Sequence, residues 1–335
     1  MTRHILLAYG READYRRATF AVISFWAWYS GDKSDVQTVI FTDNPAFFEA
    51  HLNELPVDYQ LITRPQLDEM IGPLGYIHRI KITIIDIVFQ KFPADNILFC
   101  DADTFFIADP QALLNSIQVG TSFMHKAEWA LSKTTSRMAT REPENPRQFL
   151  QEINFRTYRI GTEEFQFDKK QVMWNSGVLG LAPKVASLIP DVYALNDSIF
   201  GFSKWDLTEQ VAFSLVLQAK STLLPSSQYV VHYWNWVMRM FIDKLVNEYI
   251  IQKPGNNISL ARLTEIRSYT TNWLHYAKKE KPRFETLMAF STCNNRWILS
   301  GLKGIKNTIL AGAFNATFLK DVFFALTKHG THRKA

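Results

Sequence analysis

Cysteine is nearly absent from this chain: Cys100 and Cys293 are the only two in 335 residues. So few exclude a disulfide framework and a thiolate metal cluster, and a reducing compartment fits best. Also lacking is any stretch near the roughly 20 uncharged apolar residues of a membrane span. The opening Met1 to Gly10 has too short an apolar run for a signal peptide, so a cytoplasmic protein is expected. There is no internal repeat and no low-complexity segment. Residues 8–17 hold one glycine, which argues against the triphosphate-cradling loop of a nucleotidyltransferase. No recognition module accompanies the basic residues, so no nucleic-acid partner is expected.

What remains is an ordinary globular composition, 47% hydrophobic and 21% charged, with a high aromatic share of 14%. The length allows one large domain or two moderate ones. The net charge of +5 is uneven: eleven Lys/Arg and three acids from Lys278 onward make that tail +8 and leave the rest at −3. Apolar residues recur with helical spacing at Ile298, Leu302, Ile305, Ile309, Phe314, Phe318, Val322, Phe323 and Leu326. Lys303, Lys306, Lys320 and Lys328 accompany them. This is either a helix packed by its apolar face or a basic amphipathic segment on an anionic membrane surface. Residues 1–245 are expected to form an α/β domain, and 246–335 a mostly helical, basic extension.

Along the first 110 residues, strand-like and helical patterns alternate. His4 to Tyr9, Gln37 to Thr42 and Asp58 to Thr63 read as strands; Ala13 to Tyr29, Phe47 to Leu55 and Ile77 to Phe92 read as helices. That alternation predicts a doubly wound sheet. Thr121 to Met124, Val178 to Leu181 and Tyr229 to Tyr233 read as further strands, and Leu207 to Leu217 as a helix. Lys126 to Lys170 is polar and reads as an excursion over the site.

The segment Asn96-Ile97-Leu98-Phe99-Cys100-Asp101-Ala102-Asp103-Thr104 is the most informative. An apolar strand delivers two carboxylates to the rim where open α/β sheets bind ligands. Spaced by two on an extended backbone, they point the same way and need a cation. Mg²⁺ or Mn²⁺ is the natural choice, since such ions also hold substrate phosphates. Two sharp readings stand. Asp101-Ala102-Asp103-Thr104 resembles the Asp-x-Asp-x-Thr nucleophile motif of haloacid-dehalogenase-type phosphatases, in which Asp101 would attack phosphorus. That family needs a further acidic pair, which the downstream sequence lacks.

The second resemblance is to GT-A glycosyltransferases, family 8 in particular. Beside Asp101 and Asp103, it is carried by Leu6-Leu7-Ala8-Tyr9, Arg79-Ile80-Lys81, Asn175-Ser176-Gly177-Val178, Glu209-Gln210 and Val231-His232-Tyr233, in the family's order. It covers most of residues 4–240 and none of the tail. It departs where the family has Gly-x-x-Lys-Pro-Trp. Here Tyr233-Trp234-Asn235-Trp236-Val237-Met238-Arg239 follows the His, and Arg239 is the available cation.

The resemblance implies a GT-A fold, a UDP-sugar type donor and a carbohydrate or glycolipid acceptor. It implies Asp101, Asp103 and His232 as metal ligands, with Ala8 and Tyr9 on the nucleotide. Arg79 and Lys81 are phosphate contacts in this reading, Arg79 preferred for its bidentate fork. Asn175 would bond the donor sugar, and Gly177 would let backbone come close. Glu209 and Gln210 are the catalytic pair, Glu209 as acid/base. Retention and inversion both remain open, as does a binder that does not turn over. The basic tail adds an expectation of peripheral placement on the inner membrane face.

Overall fold

Short apolar runs rich in Ile, Val and Phe, bounded by Gly, Pro, Asn and Asp, become strands because branched and aromatic side chains fit a pleated, buried surface. In the computed structural model, which describes residues 1–137, 144–234, 236–252, 262–275, 297–310, 312, 314–316 and 318–320, those runs build a mixed sheet. Strand β1 (Thr2–Ala8) leads into α1 (Glu12–Trp28), β2 (Val36–Thr42), α2 (Pro45–Leu52), β3 (Val57–Leu61), α3 (Arg64–Ile71), α4 (Arg79–Lys91) and β4 (Asn96–Cys100). Next come β5 (Thr104–Phe106), α5 (Gln111–Asn115), β6 (Thr121–Met124), β7 (Ala127–Ala130), α6 (Thr134–Arg137) and α7 (Glu144–Glu152). The pair β8 (Thr157–Ile160) and β9 (Glu163–Gln166) follows, then β10 (Val172–Trp174) and β11 (Val178–Leu181). Helices α8 (Ile189–Ser203) and α9 (Thr208–Lys220) precede β12 (Thr222–Pro225) and β13 (Val230–His232).

Seven strands form the central sheet in the order β12-β6-β11-β4-β1-β2-β3. All neighbours are parallel except at β11, which runs antiparallel to both β4 and β6. The fold is therefore α/β with a doubly wound, mixed sheet. Ile5, Val39, Phe99, Leu179 and Leu181 join one apolar cluster with residues of α4, α8 and α9. Helix α1 packs on β1 and β5. Chain order reverses between β1 and β4, since β2 and β3 lie to one side and β4 to the other. Ligand crevices open at the carboxyl ends of such a switch point, and Asp101 follows β4 there.

One expectation changes and two gain detail. Asp101 and Asp103 are not on extended backbone: the strand ends at Cys100, and Ala102-Asp103 form a turn in which Thr104 Oγ1 donates to Asp101 O at 2.8 Å. The last strand does not rejoin the central sheet but pairs antiparallel with β5. The polar excursion is structured where described, and β7 pairs with β10.

The chain divides into two compact units, Met1–His232 with Lys253–Leu263, and Tyr233–Gln252 with Thr264–Ala335. The second holds α10 (Trp236–Gln252), most of α11 (262–275) and α12 (Trp297–Leu310). Ile242, Val246 and Tyr249 are buried on α10, and Ile266, Thr270 and Trp273 on α11. On α12 the pattern inverts. Leu302, Ile309 and Leu310 are exposed, by 75% at Leu310, while Thr308 is buried. Offsets of four, seven and eight put Leu302, Lys306, Ile309 and Leu310 along one side. Val322, Phe323, Leu326 and Lys328 lie outside the described residues. Among the described residues, no helix is long and apolar enough to cross a membrane.

Candidate active site

Register, more than local sequence, assembles the site. In the β5–β13 pair His232 stands opposite Thr104, which sets its imidazole beside the Asp101-Asp103 turn. Val178 stands opposite Cys100, and Asp101 N–H extends that ladder to Gly177 O at 2.8 Å. The start of β11 and the end of β4 therefore reach the same rim. Asn175, Ser176 and Gly177 form the loop before β11, and Glu209 and Gln210 lie in the first turn of α9.

Asp101, Asp103 and His232 each offer a ligand atom, and these atoms lie within 4.8 Å of one another. His232 Nε2 is 3.4 Å from Asp103 Oδ1 and 3.7 Å from Asp101 Oδ2, too long for good hydrogen bonds. Its other nitrogen, Nδ1, lies 2.7 Å from Asn175 Oδ1. That oxygen also accepts Gly177 N–H at 3.0 Å, while Asn175 Nδ2 faces Glu128 and Gln210 acceptors. Gly177 N–H and the Glu128 carboxylate assign the amide, so Nδ1 of His232 donates to Asn175 Oδ1 and Nε2 is the nitrogen that faces the two carboxylates. A second-sphere carbonyl on one ring nitrogen, leaving the other free, is how protein imidazoles are readied for a metal. The donor set fits a divalent ion, and its oxygen majority favours Mg²⁺ or Mn²⁺. Gly177 is required here: a Cβ at this position would lie 2.0 Å from His232 Nδ1.

Behind this triad is a buried charge cluster. Lys81 Nζ lies 3.1 Å from Asp101 Oδ1 and 3.4 Å from Glu209 Oε1. It donates to Ser176 O at 3.1 Å and Oγ at 3.2 Å, and Ser176 Oγ donates to Glu209 Oε2 at 3.1 Å. Burial opposes the Lys81 ammonium, but Asp101 and then Glu209 outweigh it and raise its pKa. Glu209 fares differently. Burial pushes its carboxyl up to about 7, Lys81 and Ser176 oppose the rise, and Asp101 adds to it. The two raised values agree physically: one cation serves two carboxylates, so the cation gains and the more buried acid loses.

The structure brings together Lys81, Asp101, Asp103, Asn175, Gly177, Glu209, Gln210 and His232. Ala8 ends β1 and Tyr9 follows it, beside the neighbouring strand at the same rim, with Ala8 buried and Tyr9 packed on the apolar cluster. Arg79 is turned elsewhere. Its Nε donates to Asp197 at 3.1 Å, its Nη1 to Met70 O at 3.2 Å, and its guanidinium lies over Tyr193. Of Arg79 and Lys81 on α4, Lys81 enters the site, the reverse of the preference set by fork geometry. Glu209 is 4% exposed and tied to Ser176 and Lys81, which places it inside the cluster. Arg239 belongs to α10, in the second unit.

Two participants carried no role in the sequence reading. Ser176 sat inside the quoted Asn-Ser-Gly run, and its hydroxyl bridges Lys81 and Glu209. Glu128, on β7, accepts from Asn175 Nδ2 at 3.2 Å and from Gln210 Nε2 at 3.0 Å. Burial raises its pKa. No local motif marks it, because only the β7–β10 pairing brings it here.

No protein-family model matches the chain, and no curated protein is similar to it in sequence. Among solved structures, mouse xyloside xylosyltransferase 1 in its apo form is similar over 67% of this chain and 85% of its own, with 14% identity and a TM-score of 0.45. The apo structure of the WbbM bifunctional glycosyltransferase is similar over 67% of this chain, with 11% identity and a TM-score of 0.44. The chain spans 38% of that second protein.

Proposed function

We propose that this protein is a metal-dependent glycosyltransferase of the GT-A type. It moves a hexose from a nucleotide diphosphate sugar to an acceptor hydroxyl. The carrying observation is the convergence of Asp101, Asp103 and His232 within 4.8 Å, at the sheet's switch point. A divalent ion held there would supply Lewis-acid stabilisation to a departing diphosphate.

The chain's own residues do the rest. Lys81 holds Asp101 in place and keeps positive charge at the rim. Asn175 and Gln210 form a fixed pair of amides beside the triad, and Gln210 Nε2, which gives one hydrogen to Glu128, keeps a second for a sugar hydroxyl. Glu209, with its pKa near neutrality, can hold or release a proton between Ser176 and Lys81 at working pH. The phosphatase reading is disfavoured by the cluster itself, since His232 rather than a further acidic pair completes the triad. The exposed Leu302, Ile309 and Leu310 beside Lys306 support peripheral attachment to an anionic inner-leaflet surface, with a glycolipid or polysaccharide precursor as acceptor.

Nucleotide sugars screened by thermal unfolding, with Mn²⁺ and with chelator, test the reading. At least one donor should raise the midpoint in a metal-dependent manner. Asp103→Asn should lower metal-dependent turnover by about 10²–10³-fold while the fold persists, the scale of losing one electrostatic stabiliser. Full activity in that variant refutes the metal assignment. No shift with any donor, beside steady phosphate release from a phosphomonoester, would restore the phosphatase reading.

A further inference from the structure

Glu128 lies outside the metal triad, yet it stands at the head of a hydrogen-bond chain that ends there. We infer that Glu128 is a positioning residue that sets the direction of both site amides and, through Asn175, helps hold His232 in its metal-ready tautomer. The inference rests on the proposed metal site, but its geometry is independent of which reaction that site serves.

An ionised carboxylate accepts and cannot donate. Oε1 of Glu128 takes Asn175 Nδ2 and Oε2 takes Gln210 Nε2, at 3.2 and 3.0 Å. Both amides must therefore present their NH₂ ends to it. Asn175 then turns Oδ1 toward Gly177 N–H and His232 Nδ1. Gln210 turns Oε1 toward Asn175 Nδ2 at 3.3 Å and Ser176 N–H at 3.4 Å. Every donor in the chain meets an acceptor in this one arrangement. Metal ligands set in this way are sensitive to their outer partners, whose loss costs about 10–100-fold in affinity.

The chain predicts an unusual order of severity. In Glu128→Gln the new amide must point a donor at Asn175 or Gln210. Reversing Gln210 sets its NH₂ against Ser176 N–H. Reversing Asn175 sets its NH₂ against Gly177 N–H and turns the acceptor away from His232. No orientation satisfies all partners. Glu128→Ala removes an acceptor but introduces no wrong donor, and Gly177 N–H still holds the Asn175 oxygen. The isosteric change should therefore be worse than truncation.

The test combines Mn²⁺ titration with ¹⁵N NMR of the imidazoles in the metal-free full chain, the His232 signal assigned by its loss in His232→Gln. In the unsubstituted protein His232 should carry its proton on Nδ1, a measurement that needs no Glu128 variant. Glu128→Gln should weaken Mn²⁺ binding by about 10–100-fold and shift His232 away from that tautomer. Glu128→Ala should keep the tautomer and lose less affinity. A His232 with no proton on Nδ1 in the unsubstituted protein overturns the inference. So does Mn²⁺ affinity in Glu128→Gln equal to that of the parent, or Glu128→Ala as weak as Glu128→Gln. If nucleotide sugars fail to bind while the tautomer and Mn²⁺ results hold, the transferase reading falls and the role of Glu128 stands.

Discussion

The rim cluster and helix α12 break the same rule in opposite directions. The cluster buries Lys81, Asp103, Glu128, Asn175, Glu209 and Gln210 wholly or in large part, where apolar groups belong. Helix α12 exposes Leu302, Ile309 and Leu310, where polar groups belong. Both departures cost free energy, and proteins accept such costs mainly at functional places. They differ in how the cost is met. Each buried polar residue has partners of opposite charge or complementary hydrogen bonding inside the fold. The stripe of α12 has Lys306 alongside and stays exposed among the described residues. A polar cluster with internal partners suits chemistry, while an apolar face without them suits docking.

The largest effect that should sharpen this contrast comes from Lys81→Met. It removes the one cation between Asp101 and Glu209 and should cost about 3–5 kcal/mol at pH 7.5, read by chemical denaturation. The deficit should shrink toward pH 5, because protonating Glu209 removes one of the stranded charges. In the intact protein, Glu209 takes up a proton on folding between its ordinary 4.5 and its folded value of about 7. This part of its stability is therefore present at low pH and lost as pH rises through about 7. An equal deficit for Lys81→Met at both pH values would break the shared-cation account.

A smaller effect is expected on α12. Replacing Ile309 with Glu should lower partition onto anionic vesicles by roughly tenfold, the loss of about one buried aliphatic group. Stability should stay within about 0.5 kcal/mol, as for surface changes generally. Equal partition of the parent protein onto anionic and neutral vesicles would remove the membrane as the complement of this face. The smallest effect belongs to Arg79→Ala, which breaks a partly solvated ion pair with Asp197. It should cost about 1 kcal/mol and leave Mn²⁺ affinity unchanged. A strong loss of donor binding in that variant would bring Arg79 back to the site.

Much of the fold was legible because apolar runs ended in clear turn signals. Strands β6 and β11 have the bounds read from sequence, and β4 ends where its first carboxylate begins. Helices α3 and α8 escaped notice, and each opens with proline in its first turn. Proline reads as a breaker, yet at a helix start its missing N–H costs nothing. Thr63 and Gln66 in fact form a capping box ahead of α3. The choice between Arg79 and Lys81 could also have been read. Lys81 shares a helical stripe with Ile84, Ile85 and Val88, which are buried, whereas Arg79 aligns with Thr83 and Asp86. A lysine on an apolar stripe is a buried, paired lysine. Glu128 was beyond reach, since its place depends on a pairing between strands more than 40 residues apart.

The reversed strand β11 has one more consequence. Because it runs antiparallel to β6 as well, and β7 pairs with β10, the chain leaves the rim after Glu128 and returns to it at Asn175. Most of what lies between, including the β8–β9 pair, is an insert whose two ends are anchored at one place. Such an insert can lengthen, shorten or change its surface without shifting the Val178–Cys100 register. Descendants of this chain could thus change the surface beside the rim by editing that insert alone, with Asp101, Asp103 and His232 kept in place.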